Sequence, residues 1–321
     1  MKKQQPVSEN ESRLLKMAAE LGITFIDLKR DFAFKWTFGT QGHEELLLLL
    51  LKGLLPEKHI KSVQLGPQEQ EPDREDAQGG IFDIYCETDD GSSLTIEMQV
   101  CPHDDFNDRM VFYSSYPIRN RVGQGALPKE KHHNYLRYKL PPIYTIGILD
   151  FELQGVNKSS RVIRHFSIRE DEDENTQFTD SIHYITVELP KFRKTPSELS
   201  SFQDFVLYAI KNMGVMKVMP KEFLGKGLDK FFETCMFAHM NEDMQMKYVR
   251  QMMAEWDRES QLATAIMHGE ERGEERGLAK GRAEGLAEGI TKTAKAMKKK
   301  GMELSLISEI TGLSAEQITA L

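Results

Sequence analysis

A turn signal between two strand-like runs constrains this sequence more than any other feature. Residues Ile81–Thr88 and Leu94–Cys101 are rich in β-branched, aromatic and aliphatic side chains, and the tripeptide Asp-Asp-Gly at 89–91 separates them. An Asp-Gly pair between two such runs is a strong indication of a β-hairpin. A three-residue loop with Gly91 in the left-handed conformation pairs Thr88 with residue 92 and fixes the register of the whole hairpin.

Three polar side chains, Asp83, Glu97 and Gln99, interrupt this otherwise apolar hairpin. Side chains alternate along a strand, so Glu97 and Gln99 share a face, and the predicted register places Asp83 opposite Glu97 on that face. A two-residue loop would instead place the two carboxylates on opposite faces. Buried carboxylates are costly without a partner, and a divalent metal ion is a common partner. The sequence therefore predicts a metal site on the hairpin, with polar residues of an edge strand as the alternative.

The hairpin motif resembles the signature of the PD-(D/E)XK nuclease superfamily, in which an Asp in one strand precedes Glu-x-Lys in the next. Here the second half reads Glu-Met-Gln at 97–99, so Gln99 stands at the position of the usual lysine. The upstream segment D-x-A-F-K-x-x-F-G, from Asp31 to Gly39, narrows the resemblance to one branch. That branch is the PD-(D/E)XK nuclease family transposases, also called recombination-promoting nucleases. The likeness covers about residues 31–191, and the type of helical tail recurs to the end of the chain.

The resemblance implies a fold and a metal site. The fold would be an α/β, three-layer α/β/α core of the restriction-endonuclease type with a mixed sheet, followed by an α-helical C-terminal region. Asp83, Glu97 and the backbone carbonyl of Met98 would bind Mg²⁺, for which Mn²⁺ is a possible substitute. Bound Mg²⁺ activates water and neutralises charge on the scissile phosphate. Glu44 or Glu45, at the start of a leucine-rich helix, would complete the metal site.

Two further side chains have predicted catalytic roles. Gln99 is expected to orient the attacking water or a phosphate oxygen, but an amide cannot supply the positive charge of a lysine. Lys35 would supply that charge if its segment folds over the hairpin. The alternative for Lys35 is a lysine whose aliphatic stem covers the core edge while its ammonium stays in water.

A segment with interleaved cations and aromatic rings predicts a nucleic-acid contact, because cations pair with phosphates and rings stack on bases. We call it the basic-aromatic strip, and its members are Lys129, Lys131, Tyr135, Arg137 and Lys139. Arg109 is expected to extend it. An ordinary exposed loop is the alternative.

The bulk properties exclude some classes of protein. A net charge of −8 argues against a protein that coats nucleic acid through its overall field, although local basic grooves remain compatible with it. The three cysteines form no C-x-x-C pair and are expected to be buried, reduced thiols of a cytosolic protein. The run Leu46–Leu51 is far shorter than the roughly 20 apolar residues that span a bilayer. We expect a soluble, cytoplasmic protein without membrane contact.

Periodicity and breaker residues predict further elements. Helices are expected over Gln41–Leu51, ended by Gly53, and over Asp104–Ile118, ended or kinked by Pro117. Three more strands are expected, over Ile143–Phe151, Arg161–Ile168 and His183–Leu189. The chain is divided into four regions: an N-terminal helical extension over 1–26, a nuclease-like core over 27–191, a helical subdomain over 192–267 and a tail over 268–321.

The tail contains six glycines at every fourth position from Gly269 to Gly289. Each costs about 1 kcal/mol relative to Ala in a helix interior, so the segment is either a flexible arm or a helix whose glycines let a second helix approach closely. We favour an exposed helix that self-associates, which would make the chain a homo-oligomer. The spacing of a helix-turn-helix then recurs at Ser308, Gly312 and Ile318. A hairpin of two helices that does not contact DNA produces the same spacing.

The functional hypothesis is a metal-dependent DNA endonuclease that hydrolyses phosphodiester bonds in recombination or transposition. The alternative is a catalytically weak or inactive nuclease-like scaffold that acts through protein association by its helical tail. Metal-dependent nicking of plasmid DNA distinguishes the two.

Overall fold

The computed structural model describes residues 16–67, 82–123, 140–153 and 159–321. These residues form a six-stranded sheet with flanking helices and a long C-terminal helix. The chain separates into two compact units, the first ending at Met252 and the second covering Met253–Leu321. The four predicted regions, with their boundaries at 26, 191 and 267, remain predictions.

The sheet lies in the first unit and is mixed. Its strands are β1 Val63–Leu65, β2 Ile84–Thr88, β3 Ser93–Gln99, β4 Ile143–Leu149, β5 Ile163–Ser167 and β6 Ile182–Glu188. Their order in space is β1-β2-β3-β4-β6-β5. The central strands β3, β4 and β6 are parallel, whereas β1, β2 and β5 pair antiparallel with their neighbours. The mixed sheet and its strands after the hairpin confirm the predictions from the sequence.

Among the described residues, and apart from the short helical stretch at 16–20, five α-helices lie wholly in the first unit. They are α1 Asp31–Gly39, α2 Glu44–Leu54, α3 Phe106–Gly123, α4 Phe202–Asn212 and α5 Asp229–Cys235. The next helix, α6 Glu242–Lys299, begins in the first unit. Residues 16–20 are also helical, and the rest of the predicted N-terminal helix lies outside the described residues.

Two layers of helices cover the sheet. Helix α3 packs on the face that carries Glu97, and its Phe106 ring lies over Gly147 of β4 so closely that an added Cβ would meet the Phe106 ring at 2.5 Å. The centre of the opposite face is apolar and buried, and it includes Ile96, Ile146, Ile148, Ile185 and Val187. Helices α1 and α2 contact β2 and β1, and α4 packs on α2. The result is the predicted α/β/α core.

Three details of the predicted elements are wrong. Gly53 does not end α2 but lies inside it, buried against Val206, where an added Cβ would come within 2.7 Å of that side chain. Helix α3 runs from Phe106 through Pro117 to Gly123, so it is not ended at Pro117, and the alternative of a kink there stays a prediction. Cys101 is exposed, whereas Cys86 and Cys235 are buried free thiols as expected.

The second unit consists of the remainder of α6 with two short helices, α7 Leu304–Thr311 and α8 Ala315–Ala320. Ala294, Ile307 and Ile318 form a small buried cluster in it. The six periodic glycines are part of the continuous helix α6, and an added Cβ at each would meet nothing within 4 Å. The segment is therefore an exposed helix, as predicted, and self-association remains a prediction. Within the described ranges, no helix is both long and apolar enough to cross a membrane.

Candidate functional site

The hairpin has the predicted register. Ile84 pairs with Ile96 and Glu87 with Ser93, so the loop contains three residues. Gly91 has a φ of 81°, which is the left-handed conformation that the loop requires.

This register brings the Asp83 and Glu97 side chains together. The Asp83 N–H donates a hydrogen bond to Glu97 Oε1 at 3.3 Å. Asp83 Oδ2 in turn accepts a hydrogen bond of 2.7 Å from the N–H of Met98. The two carboxylates therefore lie side by side, each held by the backbone of the other's strand.

Both carboxylates are almost inaccessible to solvent, with Asp83 8% and Glu97 4% exposed. Burial, followed by repulsion from Asp83, raises the pKa of Glu97 to about 8. Burial also raises the pKa of Asp83, an effect that Lys35 and the Met98 N–H oppose. Two adjacent buried carboxylates do not both ionise readily, and without a metal ion the pair retains a proton near neutral pH.

Lys35 folds over the hairpin, as the sequence analysis required for a catalytic role. Its Nζ lies 2.6 Å from Asp31 Oδ1 and 3.2 Å from Asp83 Oδ1. Asp31 and Lys35 are one turn apart on α1, which orients the ammonium toward the hairpin. Burial alone would lower the pKa of Lys35, but the two carboxylates outweigh it and the pKa is raised.

Arg109 of α3 provides a second cation near the pair. Its charge attracts Glu97 and lowers the pKa of that carboxyl, opposing the effect of burial. The guanidinium also donates a hydrogen bond of 2.8 Å to the Tyr113 hydroxyl one turn further along the helix. The sequence placed Arg109 only in a DNA-contacting strip, and the structure places it close to the carboxylates.

The other predicted site residues lie as follows. Gln99 is on the same face of β3 as Glu97 and is partly exposed. Glu44 accepts hydrogen bonds from the Gly42 N–H at 3.0 and 3.2 Å, and Glu45 forms an ion pair with Lys230. Each of the two glutamates is thus engaged away from the carboxylate pair.

Two further predictions are not tested by the structure. The role of the Met98 carbonyl as a metal ligand remains a prediction, and the basic-aromatic strip at 129–139 lies outside the described residues.

The donor set of the pair fits a small divalent cation. Mg²⁺ prefers oxygen ligands and is commonly held by one or two protein carboxylates together with several waters. Asp83 and Glu97 supply two such carboxylates, and a cation between them would offset the burial that raises both pKa values and the repulsion from Asp83 that raises the pKa of Glu97 further. In the described part of the chain, no group of three or more His, Cys, Asp or Glu side chains is arranged to hold a metal ion. The site therefore depends on these two carboxylates.

The chain is similar to one family of known proteins. A family model described as PD-(D/E)XK nuclease family transposase matches residues 28–265, which is well over half of the chain. The match includes α1, the hairpin and the whole sheet, and it extends past residue 191, where the likeness of the motifs ends. No curated protein and no solved structure matches the chain significantly. On the match to the family model, together with the mixed sheet and the paired carboxylates, the chain belongs to the PD-(D/E)XK nuclease family transposases.

Proposed function

We propose that this protein is a metal-dependent DNA endonuclease that hydrolyses phosphodiester bonds in recombination or transposition. The observation that carries the proposal is the buried pair of Asp83 and Glu97 with the Lys35 ammonium 3.2 Å from Asp83. Two adjacent carboxylates with a cation beside one of them match the needs of phosphodiester cleavage, which are a bound metal ion and a positive charge next to the phosphate. Membership of the family supports the same conclusion.

Each residue would have a distinct role. Asp83 and Glu97 would hold Mg²⁺, or Mn²⁺ in its place, and the bound ion would lower the pKa of bound water and neutralise phosphate charge. Lys35 stabilises the negative charge that develops on the phosphate, and Asp31 keeps its ammonium in position. Gln99 orients the attacking water through its amide. Arg109 faces Glu97 from α3 and binds the phosphate backbone of the substrate.

The remaining parts of the proposal concern partners and location. DNA is the substrate, and the basic-aromatic strip contacts its phosphates and bases. We propose a soluble, cytoplasmic protein that associates with further copies of itself through the exposed glycine-rich part of α6.

Plasmid nicking tests the function. Supercoiled plasmid is incubated with the full-length protein in Mg²⁺ and in Mn²⁺, and the conversion to nicked and linear forms is measured. We expect cleavage by the wild type and by Lys52→Ala, which removes an exposed lysine at the end of α2, and none by Asp83→Ala. Cleavage by Asp83→Ala at the wild-type rate would overturn the assignment of the carboxylate pair as the active site. No cleavage by the wild type in either metal would favour the scaffold that acts through its helical tail.

A further inference from the structure

A groove runs between α1 and the first turns of α6, inside the first compact unit. Its volume is about 490 Å³, and we call it the α1–α6 groove. Phe32, Lys35 and Trp36 line it from α1, and Lys247 and Gln251 line it from α6. Residues one turn apart on a helix lie on one face, so the groove is a continuous surface of both helices.

Two hydrogen bonds fix the walls of the groove. The Phe32 N–H donates to Gln251 Oε1 at 2.8 Å, and the Asp27 N–H donates to the Tyr248 hydroxyl at 2.8 Å. Tyr248 is 2% exposed, so this second contact is part of the core. The start of α6 is thus held against the beginning of α1, and the groove exists without any ligand.

The groove is continuous with the carboxylate pair. Lys35 lines the groove, and its Nζ lies 3.2 Å from Asp83 Oδ1. If the scissile phosphate of a DNA strand lies beside Lys35 and Asp83, the neighbouring nucleotide of that DNA strand is within reach of the groove.

The lining suits an anion that carries a flat ring. Lys247 is exposed and makes no ion pair within the described ranges, and the Gln251 side-chain amide nitrogen makes no hydrogen bond there. The Trp36 indole N–H is buried and has no hydrogen-bond partner among the same residues. Asp31 also lines the groove, and Lys35, whose Nζ lies 2.6 Å away, offsets part of its negative charge. A phosphate would pair with the lysine, and a base offers both a stacking surface for the Trp36 ring and an acceptor for the free Gln251 side-chain N–H.

We propose that the α1–α6 groove binds an unpaired nucleotide of the substrate strand next to the scissile phosphate, with its phosphate on Lys247 and its base against Trp36. The proposal rests on the nuclease function proposed above and names its substrate class, which is DNA with a single-stranded or locally opened segment at the cut. Stacking on an aromatic ring requires a base whose face is free, because the faces of paired bases are covered in a duplex.

Tryptophan fluorescence tests the base contact. The chain has two tryptophans, Trp36 in the groove and the partly exposed Trp256, so Trp256→Phe leaves Trp36 as the only one and Trp36→Phe is its matched control. A single-stranded oligodeoxynucleotide of about 16 nucleotides is titrated in Ca²⁺ in place of Mg²⁺, so that the DNA is not consumed. We expect quenching in Trp256→Phe and little change in Trp36→Phe. No quenching of Trp36, or equal quenching of both, would contradict the proposal.

Salt dependence tests the phosphate contact. The dissociation constant of the same labelled oligonucleotide is measured by fluorescence anisotropy at several salt concentrations for wild type, Lys247→Ala and Lys52→Ala. Loss of one phosphate contact should weaken binding by about threefold to tenfold. The plot of the logarithm of the association constant against the logarithm of the salt concentration should also become less steep, by about 0.7. Lys52 does not line the groove, so Lys52→Ala should match the wild type. Equal affinity and slope for Lys247→Ala and wild type would refute the phosphate contact.

The two proposals fail separately. If Asp83→Ala abolishes cleavage while Lys247→Ala binds DNA as the wild type does and Trp36 is not quenched, the groove proposal falls and the nuclease function stands. If the wild type binds the oligonucleotide through Lys247 and Trp36 but never cleaves DNA, the groove stands as a DNA-binding site and the nuclease function falls.

Discussion

Lys35 Nζ lies 3.2 Å from Asp83 Oδ1, although the first residue belongs to α1 and the second directly precedes β2. In the family signature the lysine follows the glutamate by two positions, where this chain has Gln99. A separate helix thus brings a positive charge to the two carboxylates, which lack the neighbouring lysine of the signature. Asp31, 2.6 Å from Lys35 Nζ, holds the ammonium in this position.

Replacing Lys35 by Ala tests whether this charge serves catalysis. We expect Lys35→Ala to lower the rate of DNA cleavage by about 10²-fold or more, the size of effect that one charge-stabilising group contributes. Its affinity for Mg²⁺, measured by calorimetry, should remain nearly unchanged because Asp83 and Glu97 are intact. Lys52→Ala is the control for loss of a lysine elsewhere. An unchanged rate in Lys35→Ala would reduce Lys35 to a packing role beside Phe34 and Trp36.

Gln99→Lys restores the lysine of the family signature. If Gln99 only orients water, the variant should cleave DNA at the wild-type rate or faster, because a second cation then lies next to the scissile phosphate. A buried hydrogen-bonding role for Gln99 leads to a different result, since the new lysine would pair with Asp83 and Glu97 and displace the metal ion. Loss of Mg²⁺ binding in calorimetry would therefore contradict the orienting role.

The raised pKa values predict how stability depends on pH without metal. Glu97 has an ordinary pKa of 4.5 and a pKa of about 8 in the folded protein. Between these values the folded protein binds more protons than the unfolded chain, so the free energy of unfolding falls as pH rises, by up to about 1.4 kcal/mol per pH unit. We expect the melting temperature in EDTA to decrease from pH 5 to pH 8, and added Mg²⁺ to raise it more at pH 8 than at pH 6.

Glu97→Gln is the control for this pH dependence. The amide does not titrate, so the decrease between pH 5 and pH 8 should be clearly smaller than in the wild type. Comparing the two proteins removes the contribution of the titrating groups that do not interact with Glu97. Identical pH profiles would show that Glu97 is not the group responsible.

The contact between Gly147 and Phe106 positions α3, and with it Arg109. A Cβ at residue 147 would lie 2.5 Å from the Phe106 ring, so Gly147→Ala should push α3 away from the sheet and destabilise the protein by about 1–3 kcal/mol. Gly285→Ala in α6 is the matched control, because its Cβ meets nothing and Ala favours helices by about 1 kcal/mol. Chemical denaturation measures the free energy of unfolding of both variants. Equal stability of the two variants would contradict the packing described for α3.

Local features of the sequence were enough to predict the hairpin and the pairing of its carboxylates. The Asp-Gly turn fixes the loop length, the loop length fixes the register, and the register determines that Asp83 faces Glu97. The sheet beyond the hairpin followed from apolar runs such as that of β4.

Features that depend on distant parts of the chain were missed. Gly53 was interpreted as the end of a helix because glycine usually breaks helices. In the structure, Val206, far along the chain, occupies the space that a side chain at residue 53 would need. Lys247 reaches the groove because Tyr248 and Gln251 tie α6 to α1. No local pattern encodes such contacts. The spacing of Asp31 and Lys35 on one helix was the one available signal for the position of the Lys35 ammonium.

Anomalous diffraction from crystals grown with Mn²⁺ tests the central claim most directly, because it locates the metal ion without relying on activity. We predict an anomalous peak between the Asp83 and Glu97 carboxylates, about 2 to 2.5 Å from an oxygen of each. The peak should disappear in Glu97→Gln crystals grown under the same conditions. A peak at another position, or well-ordered Asp83 and Glu97 side chains with no peak at saturating Mn²⁺, would contradict the assignment of this pair as the metal site.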